Sequence, residues 1–225
     1  RKGILKNLKV SFCNAGPVLF GCAAYVPGLM EYIKKYSIDL DFGHNLIKVD
    51  GKAQKAWFKV TKEGVEPEVI ERSFDMLHVC PPQCAPDFIK DSPLANAGGW
   101  VDVDSATLQH TKFKNIFSLG DVCSTANAKT VAAARKQAPI VAQNVISVLN
   151  ESIPSIQYDG YGSCPLTVEK GKIILAEFGY GGKLMPTFNW DSTKPRRLAW
   201  FLKKSILPTV YWSLMLKGRE WLTNT

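Results

Sequence analysis

The alternation of apolar and polar positions predicts a succession of short elements along the chain. Lys9 to Phe12 reads as a short strand, a turn holding Gly16 and Pro17 follows it, and a helix is expected from about Val26 to Lys35. Asp39 to Phe42 makes a second strand, so the opening residues form a β-α-β unit. Ile47 to Val49, Ala56 to Val60 and Val69 to Phe74 alternate as antiparallel strands, with turns at Asp50-Gly51 and Glu63-Gly64. Met76 to Val79 reads as a core strand closed by Pro81 and Pro82, and residues 80 to 98 as a crossover loop. A buried strand is expected over Ile116 to Leu119, then a helix over Lys129 to Leu149. From Pro154 a new unit begins, with a hairpin around Lys170-Gly171. No internal repeat or low-complexity tract is visible.

The junction between Leu119 and the helix carries the first candidate chemistry. A strand that delivers Gly120-Asp121 just ahead of a helix suits a polyhydroxylated, phosphate-bearing cofactor. Glycine lets the backbone approach closely, and the carboxylate can accept hydrogen bonds from hydroxyls. The helix start turns unpaired N–H groups and the positive end of its dipole toward the same place. Its small first turn, Lys129-Thr130-Val131-Ala132-Ala133-Ala134, lets a flat ring lie against the backbone. By contrast, Asn14-Ala15-Gly16-Pro17 lacks the Gly-x-Gly-x-x-Gly spacing of a dinucleotide turn, and no NAD site is assigned to it.

Composition narrows the class. Of the 225 residues, 46% are hydrophobic and 21% charged, as in a globular protein with one sizeable core or two modest ones. Arg1 begins the sequence without a hydrophobic leader or transit-like start, and the expectation is an internal cut. Six cysteines in a chain this large do not make a disulfide framework, and no second Cys/His pair near Cys80 and Cys84 suggests zinc, so no metal is expected.

The formal net charge of +8 admits nucleic acid or an anionic membrane. Position decides between them: seven basic and no acidic residues lie between Lys194 and Arg219, interleaved with Leu, Ile, Val, Met, Trp and Tyr. So many aliphatics would be wasted on phosphate, so nucleic acid is not expected as a partner. Ser205 to Leu216 is uncharged for only twelve residues, too short to span a bilayer, and Pro208 breaks it. The expectation is two short amphipathic helices in the membrane interface, with Trp200, Tyr211 and Trp212 at headgroup depth and Lys203, Lys204, Lys217 and Arg219 toward anionic lipid.

Several segments resemble known sequences in order and spacing. Thr107 to His110 with Asn115 to Asp121 is similar to the second flavin-binding motif of the two-dinucleotide-binding-domain flavoproteins. His78-Val79-Cys80-Pro81-Pro82 with Ala85-Pro86-Asp87, Gly99 to Asp104, Tyr158 to Leu166 and Ile174 to Phe178 resemble the eukaryotic-type sulfide:quinone oxidoreductases, over nearly the whole chain but only the carboxyl-terminal half of such an enzyme. The resemblance implies an α/β fold: a partial FAD/NAD(P)-binding fold with a carboxyl-terminal amphipathic unit. Residues 1–79 would be the remainder of the second, pyridine-nucleotide-like domain, 80–150 the end of the FAD domain, and 151–225 a redox-cysteine and membrane-associated unit.

It further implies FAD as cofactor, held by Gly120, Asp121, Lys129 and Thr130, with Lys129 and Thr130 near the pyrimidine edge. Cys164 would be the sulfur-carrying member of a redox-active cysteine pair. Its partner would lie upstream of Arg1, and so would the cradle for the ADP moiety. The chain alone is then expected to be catalytically incomplete, with poor flavin affinity. The other cysteines, Cys13, Cys22, Cys80, Cys84 and Cys123, read as small buried or incidental residues. The implied partners are sulfide, ubiquinone, a small sulfur-acceptor nucleophile and a membrane surface, at the mitochondrial inner membrane. Two alternatives stay open: a type II NADH:quinone reductase, which needs no cysteine at position 164, and a non-catalytic membrane-surface fragment.

Overall fold

The computed structural model describes residues 7–127 and 129–219, which form two compact units divided between Pro81 and Pro82. In the first unit, β1 (Val10–Asn14) and β2 (Ile38–Phe42) pair in parallel, joined by α1 (Val26–Lys35). The chain then forms an antiparallel sheet of β3 (His44–Asp50), β4 (Lys55–Lys62) and β5 (Val65–Ser73), in the order β3-β4-β5. The period of two in β4 buries Ala56, Phe58 and Val60, and Leu46, Ile70 and Leu77 pack on them.

Met76 to Val79 is not a strand. Met76 is 87% exposed, and among the described residues no strand lies alongside to accept its hydrogen bonds. An apolar run becomes a strand only where a ladder partner exists.

The second unit begins with a short helix, α2 (Asp87–Lys90), and is organised by α3 (Val131–Leu149), whose N-cap is Thr130. Thr130 Oγ1 accepts the Ala133 N–H at 3.2 Å, satisfying one of the orphan donors of the first turn. Ile140 of α3 packs against Val101, Val103, Leu108, Cys123, Tyr158 and Tyr161. The run Ile116 to Leu119, expected as a strand, makes only an isolated bridge between Gln109 and Phe117. Its backbone groups bond to the neighbouring turn instead: His110 N–H to Ile116 O at 2.8 Å and Ser118 N–H to Leu108 O at 3.1 Å.

A hairpin follows, β6 (Gly162–Glu169) and β7 (Lys172–Phe178), turning at Lys170-Gly171. Ile173 and Leu175 of β7 pack on Ala199 and Leu202 of the carboxyl-terminal helical run. That run is α4 (Arg197–Phe201), a π-helical stretch (Leu202–Ile206) and α5 (Leu207–Ser213) in unbroken succession. Two helices interrupted at Pro208 were expected. Instead the Leu207 N–H reaches back to Leu202 O, and this wider turn seats the proline at the start of α5 without a break. Among the described residues no helix is long and apolar enough to cross a membrane.

The surface of this run also departs from expectation. Phe201 and Trp212 are exposed at 53% and 66%, but Trp200 packs toward the core beneath β7. Lys203 is not free for lipid: its ammonium donates to Pro165 O at 2.9 Å and Thr167 Oγ1 at 2.8 Å.

Candidate active site

A cavity of about 460 Å³ lies in the second unit, within the size range of small-ligand sites. Its walls come from the N-terminus of α3, the β6–β7 hairpin and the apolar side of the π-helical stretch and α5. Thr130 and Cys164, which are 34 residues apart in sequence, both line it. Val131 and Ala132 line it too, and being in the first turn of a helix their N–H groups have no intrahelical acceptor.

Cys164 is half-buried, and burial pushes its thiol above the ordinary cysteine range. No cationic group offsets that desolvation, so the sulfur is protonated at neutral pH and a poor nucleophile. The strand register sets what surrounds it. Cys164 pairs with Ala176, and Ser163 pairs with Glu177, so the thiol and the carboxylate project from opposite faces of the hairpin.

Gly120 has a φ of +71°, the left-handed conformation that glycine adopts without strain, and opens the tight turn Gly120–Val122. Its N–H donates to the buried Gln137 Oε1 of α3 at 2.7 Å, which fastens the turn to the helix. Asp121 is exposed and makes no hydrogen bond or ion pair among the described residues; it does not line the cavity. Lys129 precedes the cap, and its ammonium donates to Cys123 O at 2.5 Å and stands 3.9 Å over the Trp100 ring. Burial lowers its pKa, with Cys123 and Asp121 acting in the opposite sense. The ammonium therefore braces the Gly120–Lys129 loop, and Lys129 is not among the residues that line the cavity.

The Tyr158 to Leu166 stretch is pinned from several directions. Tyr158 is buried and donates to Tyr161 O at 2.5 Å. Gly160 has a φ of +80°, and a Cβ there would meet Tyr180 Cγ at 2.4 Å, so only glycine fits under that ring. Asn127 donates to Gly160 O and, at 3.3 Å, to Phe178 O, joining the loop before α3 to the hairpin.

Glu177 is, like Arg135, a cavity residue to which the sequence reading gave no role. It is 2% exposed, accepts from Tyr161 Oη at 2.6 Å and from Thr187 N–H at 3.1 Å, and also accepts from the Thr187 hydroxyl. Its signal was available: a lone carboxylate in the otherwise apolar run Ile173 to Phe178. The remaining cysteines lie elsewhere. Cys22 and Cys123 are buried, Cys80 and Cys84 exposed, and Cys13 is half-buried beside Asp41 and Arg72. Among the described residues no group of three or more His, Cys, Asp or Glu is placed to hold a metal.

Comparison with known proteins decides the relationship. Sulfide:quinone oxidoreductase, mitochondrial, of Dictyostelium discoideum is 40% identical over 100% of this chain, and that of Mus musculus 38% over 97%. The Schizosaccharomyces pombe protein of the same name is 36% identical over 98%. The chain is a relative of the mitochondrial sulfide:quinone oxidoreductases. It spans about half the length of these relatives, 48% to 49%. No family model matches it.

Among solved structures, a chain in the Tetrahymena thermophila mitochondrial ATP synthase F1Fo tetramer is 27% identical with a TM-score of 0.72, over 92% of this chain and 48% of that one. Reduced CoADR-RHD of Bacillus anthracis, 13% identical with a TM-score of 0.50 over 78% of this chain and 31% of that one, shares the fold. The sulfide:quinone oxidoreductase relationship places Cys164 and the Gly120–Thr130 loop within the aligned length.

Proposed function

We propose that this chain is the carboxyl-terminal half of a flavin-dependent enzyme that oxidises sulfide to persulfide and passes the electrons to ubiquinone, at the mitochondrial inner membrane. The observation that carries the reading is the meeting of Cys164 and the N-terminus of α3 in one largely apolar cavity. The relationship to mitochondrial sulfide:quinone oxidoreductases supplies the chemistry.

The residues present fit a flavin ring. Thr130, Val131 and Ala132 offer a thin helix start with free backbone donors, suited to ring carbonyls that gain negative charge on reduction. Gly120 and Asp121 would meet the hydroxylated chain, and Lys129 adds positive charge to the same loop. When bound, flavin supplies a two-electron acceptor for the sulfur chemistry and a donor to the quinone.

Cys164 would begin the cycle joined through sulfur to a partner cysteine outside this sequence. Sulfide attacks Cys164 Sγ, a new S–S bond forms there, the bond to the partner breaks, and the partner departs as thiolate. A small nucleophile then takes the terminal sulfur from Cys164, and re-forming the original bond releases two electrons. The thiol-favouring burial of Cys164 suits a sulfur that is attacked, leaving the thiolate role to its partner. On the opposite side, exposed Phe201 and Trp212 with Lys204 and Lys217 would rest on an anionic membrane, from which a lipid-soluble quinone enters.

The test is Cys164→Ser in the complete protein. Sulfide-dependent quinone reduction should vanish while flavin stays bound, and retained turnover refutes the assignment. A second reading, a non-catalytic subunit of a mitochondrial membrane assembly, is favoured by the likeness to the ATP synthase chain. A complete protein that purifies without flavin would support that reading over the first.

A further inference from the structure

Glu177 has no part in the sulfur chemistry, yet it is a carboxylate buried to 2% exposure in a strand whose preceding four residues, Ile173 to Ala176, are themselves buried. Placing an ionisable group there costs several kcal/mol unless its partners compensate, and three accepted hydrogen bonds supply that compensation. Its surroundings are graded from dry to wet. Tyr161, 8% exposed, donates to it at 2.6 Å, and Thr187, which is exposed to solvent, donates through both its hydroxyl and its N–H. All three residues line the cavity that also holds Cys164.

From this arrangement we infer that Glu177 is the proton donor to the quinone in this cavity, recharged from bulk water through the Thr187 hydroxyl. The inference rests on the quinone reading above and assigns the proton side of that reaction. Conversion of a quinone to a quinol takes up two electrons and two protons. The electrons are those released by sulfide oxidation, and the cavity walls are otherwise largely apolar, so protons need a defined route. Water first passes a proton to the Glu177 carboxylate through Thr187, and in each transfer the Glu177 O–H bond so formed breaks as a quinone O–H bond forms. The carboxylate left behind is held by Tyr161 Oη–H and by the Thr187 N–H and hydroxyl. Water then returns a proton through Thr187, and a second passage completes the quinol.

The experiment uses the complete protein and separates the two half-reactions by anaerobic rapid mixing. Flavin bleaching by sulfide reports the first, and its reoxidation by a short-chain ubiquinone the second. Glu177→Gln keeps an acceptor oxygen for Tyr161 but carries no transferable carboxyl proton. It should leave bleaching within about twofold of wild type and slow reoxidation on the order of 100-fold, the usual worth of a positioned proton donor. Binding of the same ubiquinone, followed by quenching of tryptophan fluorescence, should be unchanged, which separates proton transfer from lost affinity. Thr187→Val leaves Glu177 in place and should also slow reoxidation, with Thr187→Ser restoring it; this pair decides the matter if Glu177→Gln does not fold. Normal reoxidation in these variants overturns the relay while leaving the proposed function standing. Absence of bleaching in the wild type overturns the proposed function, and the relay with it.

Discussion

Gln137 is where the fold and the candidate site meet most directly. It is 1% exposed on α3, its Oε1 takes the Gly120 N–H at 2.7 Å, and its side chain also bonds to the Tyr158 hydroxyl. Gln137→Leu removes both contacts and adds little volume. Loss of a partner for a buried donor costs about 1–3 kcal/mol, but Gly120 is only half-buried, so water can meet part of its need. Tyr158 keeps its bond to Tyr161 O and loses only an acceptor interaction. The net cost should be about 1–2 kcal/mol, read from the urea midpoint of the complete protein. Because the same bond fixes the turn that presents Asp121, flavin affinity should fall roughly tenfold, the equivalent of about 1.4 kcal/mol. Asn144→Leu is the comparison. Asn144 is fully buried one helical stretch away and bonds Thr107 O, Ile156 O and Ile156 N–H at 3.0, 2.8 and 3.1 Å. It should cost more stability, about 2–4 kcal/mol, with little effect on flavin. If both variants weakened flavin in proportion to their loss of stability, the claim that Gln137 specifically positions the Gly120–Asp121 turn would be refuted.

Two further outcomes follow from the same geometry. Burial raises the pKa of the Cys164 thiol, so its thiolate fraction is small at neutral pH and grows only as pH climbs past the ordinary cysteine range; iodoacetamide labelling followed by mass spectrometry should therefore accelerate at Cys164 at higher pH than at the exposed Cys80 and Cys84, and faster labelling of Cys164 at pH 7 would contradict this. Phe201 and Trp212 present large apolar side chains to solvent, each worth about 1.5–3 kcal/mol if buried in lipid, so Phe201→Ser with Trp212→Ser should reduce co-flotation with anionic liposomes more than tenfold, whereas Lys203→Gln, which loses contacts to Pro165 and Thr167, should change flotation little.

The parts legible in the sequence are those whose cause is local. The Val26–Lys35 helix is legible in its periodicity and the hairpin in Lys170-Gly171, where Gly171 takes a φ of +88°, whereas the helix expected from Lys129 begins at Val131 with Thr130 as its cap. Met76 to Val79 and Ile116 to Leu119 were misread because apolar character states only that a segment prefers burial. Whether it becomes a strand depends on a ladder partner that sequence pattern does not name. The unbroken passage through Pro208 was hidden for a related reason: the π-helical bond from Leu207 to Leu202 is held by packing of Leu202 and Ala199 on β7. The candidate site divides the same way. Cys164 and Thr130 could each be picked out from their neighbours in sequence, but Glu177 acquires meaning only through register. Its pairing opposite Ser163 gives it the other face of the hairpin from the thiol, and a one-residue slip between β6 and β7 would move every side chain of one strand to the opposite face. The two-residue turn at Lys170-Gly171 pairs Glu169 with Lys172, and the bulge between Thr167 and Glu169 then shifts the register by one residue, so that Ser163 and not Cys164 stands opposite Glu177. The spatial relation between sulfur and carboxylate is thus set by a bulge near the turn, several residues from both.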